Sequence, residues 1–257
     1  MKERPIIMGA ESVRAILEER KTQTRRVIDP HKYNIAGWDM PRTKEDMEAG
    51  YPFAENAYGD FVSVVDWCPY GRVGERLWVR ETWKPGAWRS DGRVAIDYQA
   101  SPELTHTPWI FTGNKIKQFI FRWLEEVIES GLEPNSEGRY EWKAGMSPLK
   151  WKSPIFMPRW ASRITLEITD IRVERVQDIS EDDAIAEGIE FDSGWEEECG
   201  EGYTTGEGWM NYKTQDFSCE SAKESYHTIW DSLNAKRGYP WDSNPWVWVI
   251  TFKVVQS

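Results

Sequence analysis

The longest regular pattern in the chain is a period-2 alternation over residues 163–176, and it constrains the fold more than any other feature. Ile164, Leu166 and Ile168 alternate with polar residues, which is typical of a β-strand with one buried face. The other ordered segments are short, and strands do not alternate regularly with helices. Because a doubly wound parallel sheet requires that alternation, we expect an α+β or mainly β fold: a small, mostly antiparallel β-barrel or sheet with flanking helices.

Seven further segments carry ordered patterns. They predict strands near 5–8, 77–80 and 246–255, and helices near 12–20, 115–130, 180–188 and 221–234. Three stretches, at about 29–66, 84–152 and 190–217, are irregular and predict insertions. The middle one contains the helix near 115–130. We therefore expect a single domain over 1–257, with the three insertions packed outside it.

The charge balance limits the ligands that the chain can hold. Its net charge of −11 argues against a protein that coats phosphates with a broad basic surface, but it permits a local basic pocket. The sequence also has 16 tryptophans. Most of these are expected to pack in the core, and stacking on bases is the functional use of the rest.

Several classes of protein have no support in the sequence. No apolar run approaches the roughly 18 residues of a membrane span, and the apolar run after the N-terminus is too short for a signal peptide. Three cysteines without C-x-x-C spacing favour a reducing cytoplasm over a disulfide scaffold. Three scattered histidines give no metal site, and without a phosphate-binding or dinucleotide-binding loop we expect no cofactor.

The first group of candidate functional residues follows the first predicted helix. Five of the seven residues 20–26 are Arg, Lys or Gln, so this is a positive segment in an acidic chain. Lys21, Thr24, Arg25 and Arg26 together could hold a phosphate or polarise a carbonyl. The alternative is structural, since basic residues offset the macrodipole at a helix C-terminus.

The second group lies on the strand near 77–80 and just after it. Trp78 and Arg80 share the face opposite Leu77 and Val79, so with Leu77 and Val79 in the core, Trp78 and Arg80 line a surface or pocket. With Glu81 and Trp83 nearby, a tryptophan flanked by arginine could hold a base; the alternative is packing between elements. The acidic clusters 181–183 and 196–198 fit a capped helix start and a solvated loop better than metal sites.

The segment Ile16–Arg26 resembles the signature of the ASCH domain, a branch of the PUA-like superfamily. The family pattern G-x-K-x-x-x-x-R is matched by Lys21 and Arg26, while Glu19 takes the glycine position. Further blocks resemble ASCH proteins of bacteriophages and prophages: 74–80, 157–163, 163–188, 244–248 and 246–255. Together the matching blocks cover about half of the chain.

This resemblance implies a PUA-like β-barrel that recognises RNA or a modified base. The chain also has a distant resemblance to bacterial enzymes that remove the acetyl group from N(4)-acetylcytidine. This resemblance implies that Lys21 is the proton acceptor, Thr24 the nucleophile and Glu187 the proton donor. Lys21 and Thr24 can cooperate only if the chain bends between them, because residues three apart on a straight strand face opposite sides.

The predicted function is that of a phage or prophage ASCH protein in the cytoplasm of a bacterial host, without a membrane partner. It binds RNA or a modified nucleotide between Lys21–Arg26, the Trp78–Glu81 strand and Glu187. If the protein is an enzyme, we expect it to hydrolyse an amide of a modified cytidine. Its predicted ligand-binding residues are Arg25, Arg26, Trp78, Arg80, Glu81 and Trp83. Two alternatives stay open: a ribonuclease, and a non-catalytic protein that acts on a host factor.

Overall fold

The computed structural model describes residues 2–29, 53–55, 61–101, 109–199 and 202–255. In chain order its strands are β1 (Glu3–Ile7), β2 (Gln23–Val27), β3 (Phe53–Glu55), β4 (Phe61–Ser63), β5 (Arg76–Arg80), β6 (Trp83–Trp88), β7 (Arg93–Tyr98), β8 (Ile110–Phe111), β9 (Thr165–Arg175), β10 (Phe191–Cys199), β11 (Gly202–Asn211), β12 (Asp216–Cys219) and β13 (Trp246–Val254). The α-helices within those ranges are α1 (Ala10–Leu17), α2 (Lys117–Glu129), α3 (Glu181–Ala186) and α4 (Ala222–Asn234).

The strands form one larger sheet and several smaller ones. The larger sheet has the order β1-β5-β9-β13-β2, the smaller ones are β6-β7-β8 and β10-β11-β12, and β3 pairs with β4. β13 runs antiparallel to both of its neighbours. The mixture of helices and sheets that the sequence predicted is confirmed. The barrel closure is not found among the described residues, because β1 and β2 are the two ends of an open strand order.

The described chain divides into two compact units. Unit 1 comprises 2–3, the described residues of Ala15–Leu77, and Leu166–Val255, and unit 2 comprises Arg4–Arg14 and the described residues of Trp78–Thr165. Most of the stretch 84–152 belongs to unit 2, which has its own core. The Gly and Pro residues of β6 interrupt the periodic pattern that would have revealed this unit in the sequence.

In unit 1, helices α3 and α4 pack on one face of the sheet. Val247 and Val249 of β13 form a core with Ala184 of α3 and with Tyr226 and Trp230 of α4. The stretch 190–217, predicted as an irregular insertion, contributes β10, β11 and the start of β12. The predicted insertion at 29–66 lies mostly outside the described residues.

In unit 2, helix α2 covers the β6-β7-β8 sheet. Its buried side chains Trp123 and Val127 lie one helical turn apart, and they pack in a core with Val94 and Ile96 of β7. Aromatic rings fill the periphery of this core, where Trp88 lies against Trp123 at a centroid distance of 5.5 Å. Within the described ranges, no helix has both the length and the apolar character that a membrane crossing requires.

Candidate functional site

The turn between α1 and β2 fixes the start of the candidate site. The Arg20 amide donates to the Ala15 carbonyl and the Glu19 amide to the Ile16 carbonyl, the pair of bonds that defines a Schellman motif. The residue that this motif places in the left-handed region is Glu19, with φ of 60°. Glycine is the usual residue there, and this is the position at which the ASCH pattern has its glycine. Lys21 follows directly, and its own amide also donates to the Ala15 carbonyl.

Helix α3 brings the second part of the site into place. Ser180 caps it, since its hydroxyl oxygen accepts from the Asp183 amide at 3.1 Å. The helix is only six residues long and ends at Glu187 and Gly188, where Gly188 has φ of 82°. The Thr22 amide donates to the Ala186 carbonyl, and Lys21 and Glu187 form an isolated β-bridge. The end of α3 is therefore bonded to the chain just before β2.

Lys21 and Glu187 lie in direct contact. The Lys21 Nζ donates to Glu187 Oε2 at 2.6 Å and to the Glu187 backbone carbonyl at 2.7 Å. Their side chains are only 4% and 6% exposed. A charged pair so well shielded from water needs several strong hydrogen bonds to offset the cost of desolvation.

Arg25 extends this contact into a network of charges. Its guanidinium lies 3.2 Å from Glu187 Oε1, 2.6 Å from Glu174 Oε1 and 3.0 Å from Asp183 Oδ2. Arg172 bonds to both Glu174 and Asp183. The network thus pairs three cations with three carboxylates. It reaches from the buried Arg25 to Arg172, whose side chain is 36% exposed.

Three members of this network, Arg172, Glu174 and Asp183, were not predicted as site residues. The sequence contains a partial signal for two of them. Arg172 and Glu174 occupy alternate positions of β9, opposite the face that carries Ile171 and Val173. Such polar positions ordinarily face solvent, but here the same face of the sheet is covered by α3 and α4. Only the tertiary structure shows that these charges are partly enclosed.

Burial and neighbouring charges shift several pKa values. Burial lowers the pKa of Lys21 below its ordinary value, although the carboxylate of Glu187 works in the opposite direction. Burial raises the pKa of the Tyr226 hydroxyl, and the Arg25 guanidinium lies 5.7 Å from the centre of that ring. For Arg25, burial acts to lower the pKa, but the neighbouring Glu187 and Glu174 outweigh it and keep the guanidinium charged.

Thr24 and Arg26 lie on the other face of β2. Gln23 donates to Asp183 at 3.1 Å and accepts from Arg25, so Gln23 and Arg25 share the face of the network. Strand alternation then places Thr24 and Arg26 opposite, where their ladder partners are Ile250 and Trp248. The ladder from Gln23 to Val27 has no register shift. The structure therefore brings together Lys21, Arg25 and Glu187. Thr24 and Arg26 lie on the opposite face of β2, although the charge of Arg26 still acts to lower the pKa of Lys21.

The four remaining predicted residues lie in unit 2. The Arg80 guanidinium lies 4.6 Å from the centre of the Trp78 ring, and that of Arg159 lies 5.9 Å from it. Trp78 is 8% exposed. This ring carries guanidiniums rather than offering a bare surface, so its contribution to ligand binding would be to orient positive charge.

Glu81 and Trp83 have structural partners in unit 2. Glu81 accepts two hydrogen bonds of 2.9 Å from Arg163, whose guanidinium lies 4.1 Å from the centre of the Tyr98 ring. Burial raises the pKa of Glu81, and the Arg163 charge opposes this shift. Trp83 is 4% exposed and packs edge-on against Trp160.

The described residues contain no group of three or more histidine, cysteine or carboxylate side chains that could hold a metal ion. No family model, curated protein or solved structure matches the chain.

Proposed function

We propose that the chain is a PUA-like ASCH protein of phage or prophage origin, which binds RNA or a modified nucleotide in a bacterial cytoplasm. The observation that carries this proposal is the 2.6 Å contact between Lys21 and Glu187. The ASCH resemblance assigns these two residues to one site, although 166 positions separate them in the sequence. Nothing in their local sequence context requires that contact.

The α1–β2 turn gives independent support to the proposal. The resemblance expects glycine at position 19, and the backbone there adopts the left-handed conformation that glycine favours. The turn therefore has the backbone conformation that the glycine of the family pattern would favour at this position.

The chemistry of the network suits a polar, planar ligand. Lys21 and Arg25 supply hydrogen-bond donors, and Glu187 supplies acceptors, which is the combination that the edge of a nucleobase requires. A ligand would have to exchange its own hydrogen bonds for those between Lys21 and Glu187. The site would be selective, because a ligand without an acceptor for Lys21 or without a donor for Glu187 would leave a buried charge unpaired.

Amide hydrolysis of a modified cytidine is the second candidate, and the Lys21–Glu187 pair favours it. A lysine whose pKa is lowered by burial is closer to the neutral state that a base needs, and its carboxyl neighbour is at proton-transfer distance. The nucleophile is the open part of this mechanism, because strand alternation puts Thr24 on the opposite face of β2. Binding without hydrolysis therefore stands first.

The test is to incubate the pure protein with N(4)-acetylcytidine, cytidine and short RNAs, and to measure both binding and products by mass spectrometry. We expect Lys21→Arg to abolish any deacetylation while keeping part of the affinity for N(4)-acetylcytidine, since a guanidinium stays charged. Lys253→Arg is the control, because Lys253 is 62% exposed. If the wild-type protein binds neither nucleoside, and Lys21→Arg binds the short RNAs as tightly as the wild type does, the proposed function is overturned. Turnover close to wild type in Lys21→Arg would exclude hydrolysis with Lys21 as the base.

A further inference from the structure

One segment of unit 2 differs in charge from the rest of the protein. Residues 142–166 contain no aspartate or glutamate, although the chain has 43 acidic residues among 257. The same segment contains five cations, Lys143, Lys150, Lys152, Arg159 and Arg163, and three tryptophans. Over 78–165 there are 13 Lys and Arg against 10 Asp and Glu, a net charge of +3 in a chain of −11. Residues 78–165 of unit 2 are therefore net positive, while the rest of the chain is net negative.

In the structure, 151–160 lies alongside 78–84, and we call these two stretches the basic strip. Trp83 and Lys152 exchange backbone hydrogen bonds of 3.3 and 2.8 Å. Three side-chain contacts continue the strip: Lys84 Nζ lies 4.8 Å from the Trp151 ring centre, Trp83 lies 6.1 Å from Trp160, and the Arg159 guanidinium lies 5.9 Å from the Trp78 ring centre. Aromatic rings and cations thus lie next to one another along one continuous part of the unit.

The basic strip presents aromatic rings and positively charged side chains to solvent. Phe156 is 74% exposed and Trp151 is 43% exposed, which is unusual for aromatic rings of this size. Arg159 is exposed, and so is Lys150, which directly precedes the strip. The Nε atom of Arg80 is buried and has no hydrogen-bond partner among the residues described. The Arg80 side chain is partly exposed, and its guanidinium lies 4.6 Å from the Trp78 ring centre.

We propose that the basic strip binds single-stranded nucleic acid. Arg80, Arg159 and Lys150 contact backbone phosphates, while Phe156 and Trp151 stack on bases. A single strand fits better than a duplex, because exposed rings stack only on bases that are not already enclosed in a helix. The proposal goes beyond the function proposed above, since it requires neither Lys21 nor Glu187.

The test measures the binding of labelled 12-nucleotide single strands of RNA and DNA to the full chain by fluorescence anisotropy. With about three phosphate contacts, we expect the logarithm of affinity to fall with the logarithm of salt concentration with a slope of about −2. Phe156→Ala and Arg159→Gln should each weaken binding by about fivefold or more, because each removes one stacked base or one phosphate contact. Both side chains are exposed, so neither variant is expected to unfold the protein.

Arg139→Gln is the matched control. It removes one positive charge from unit 2 at a side chain that is 73% exposed and already paired with Glu137. We expect its affinity to stay within about twofold of wild type. An equal loss in Arg139→Gln and Arg159→Gln would overturn the proposal, and so would tighter binding of a duplex or equal binding of polyglutamate. Lys21→Arg should bind the single strands normally, which separates this result from the test of the proposed function.

Discussion

Gly188 lies so close to Lys21 that a β-carbon at Gly188 would come within 2.6 Å of the Lys21 β-carbon. It would also come within 2.7 Å of the Ala15 β-carbon, and Gly188 has a positive φ of 82°. Gly188→Ala should therefore lower the free energy of unfolding by about 3 kcal/mol, from the backbone conformation and the overpacking together. Chemical denaturation measures this loss directly.

Gly238→Ala separates the two causes. Gly238 also has a positive φ, of 90°, but a β-carbon there would meet nothing within 4 Å. This variant should lose only about 1 kcal/mol. If the two variants lose the same amount, the close approach of Gly188 to Lys21 contributes nothing to stability.

The left-handed conformation of Glu19 predicts a stabilising change. Glu19→Gly should raise the free energy of unfolding by about 1 kcal/mol, because a left-handed conformation is costly for a residue with a β-carbon. Glu19→Ala removes the same charge but keeps the β-carbon, and it should give no comparable gain. A gain of the same size in both variants would point to charge rather than to backbone strain.

We expect mutations of the buried pair Lys21 and Glu187 to have strongly coupled effects on stability. Lys21→Met leaves Glu187 with one cationic partner fewer in a shielded position, so it should cost about 3 kcal/mol of unfolding free energy. Glu187→Gln should have a similar effect for the same reason. The double variant should cost at least 1 kcal/mol less than the sum of the two single losses. Additive losses would mean that the two charges do not interact in the folded protein.

Asp183 predicts part of the response to acid. Burial acts to raise its pKa, but Arg172 and Arg25 outweigh burial and hold the pKa below the ordinary value of 3.8. Such a carboxyl contributes stability at pH values above 3.8 and loses that contribution as the pH falls through its lower folded pKa. The unfolding free energy of the wild type should therefore fall more steeply below about pH 4 than that of Asp183→Asn.

Asp182→Asn is the control for this measurement, because Asp182 is the exposed neighbour of Asp183 in α3. Its acid response should match that of the wild type. A wild-type slope in Asp183→Asn would show that the ion pairs of Asp183 with Arg25 and Arg172 do not stabilise the folded state.

Local patterns predicted several elements around the site but not β2, which carries Arg25. Strand β9 and helices α2 and α4 follow from periodicity, and the start of α3 follows from its capping pattern. These signals lie within a few residues of the structure that they specify. The resemblance added the pairing of Lys21 with Glu187, which no local pattern contains.

The features of the fold and of the site that local patterns did not predict depend on contacts between distant parts of the chain. Arg25 is enclosed because Glu174 and Asp183 reach it from 149 and 158 positions away. The core of unit 2 joins β7 to α2 through tryptophans that show no clear period in the sequence. The prediction that Trp78 offers a stacking surface could not foresee Arg159, 81 positions further along the chain.

The most direct test of the central claim is an NMR titration of Lys21 in protein labelled with ¹³C at the lysine ε-carbons. The Lys21 signal is the one that disappears in Lys21→Arg. We expect its pKa to lie below the ordinary value of 10.5, and we expect N(4)-acetylcytidine to shift the signal. If Lys21 titrates together with the exposed lysines and does not respond to N(4)-acetylcytidine, cytidine or short RNAs, the account of the Lys21–Glu187 site is contradicted.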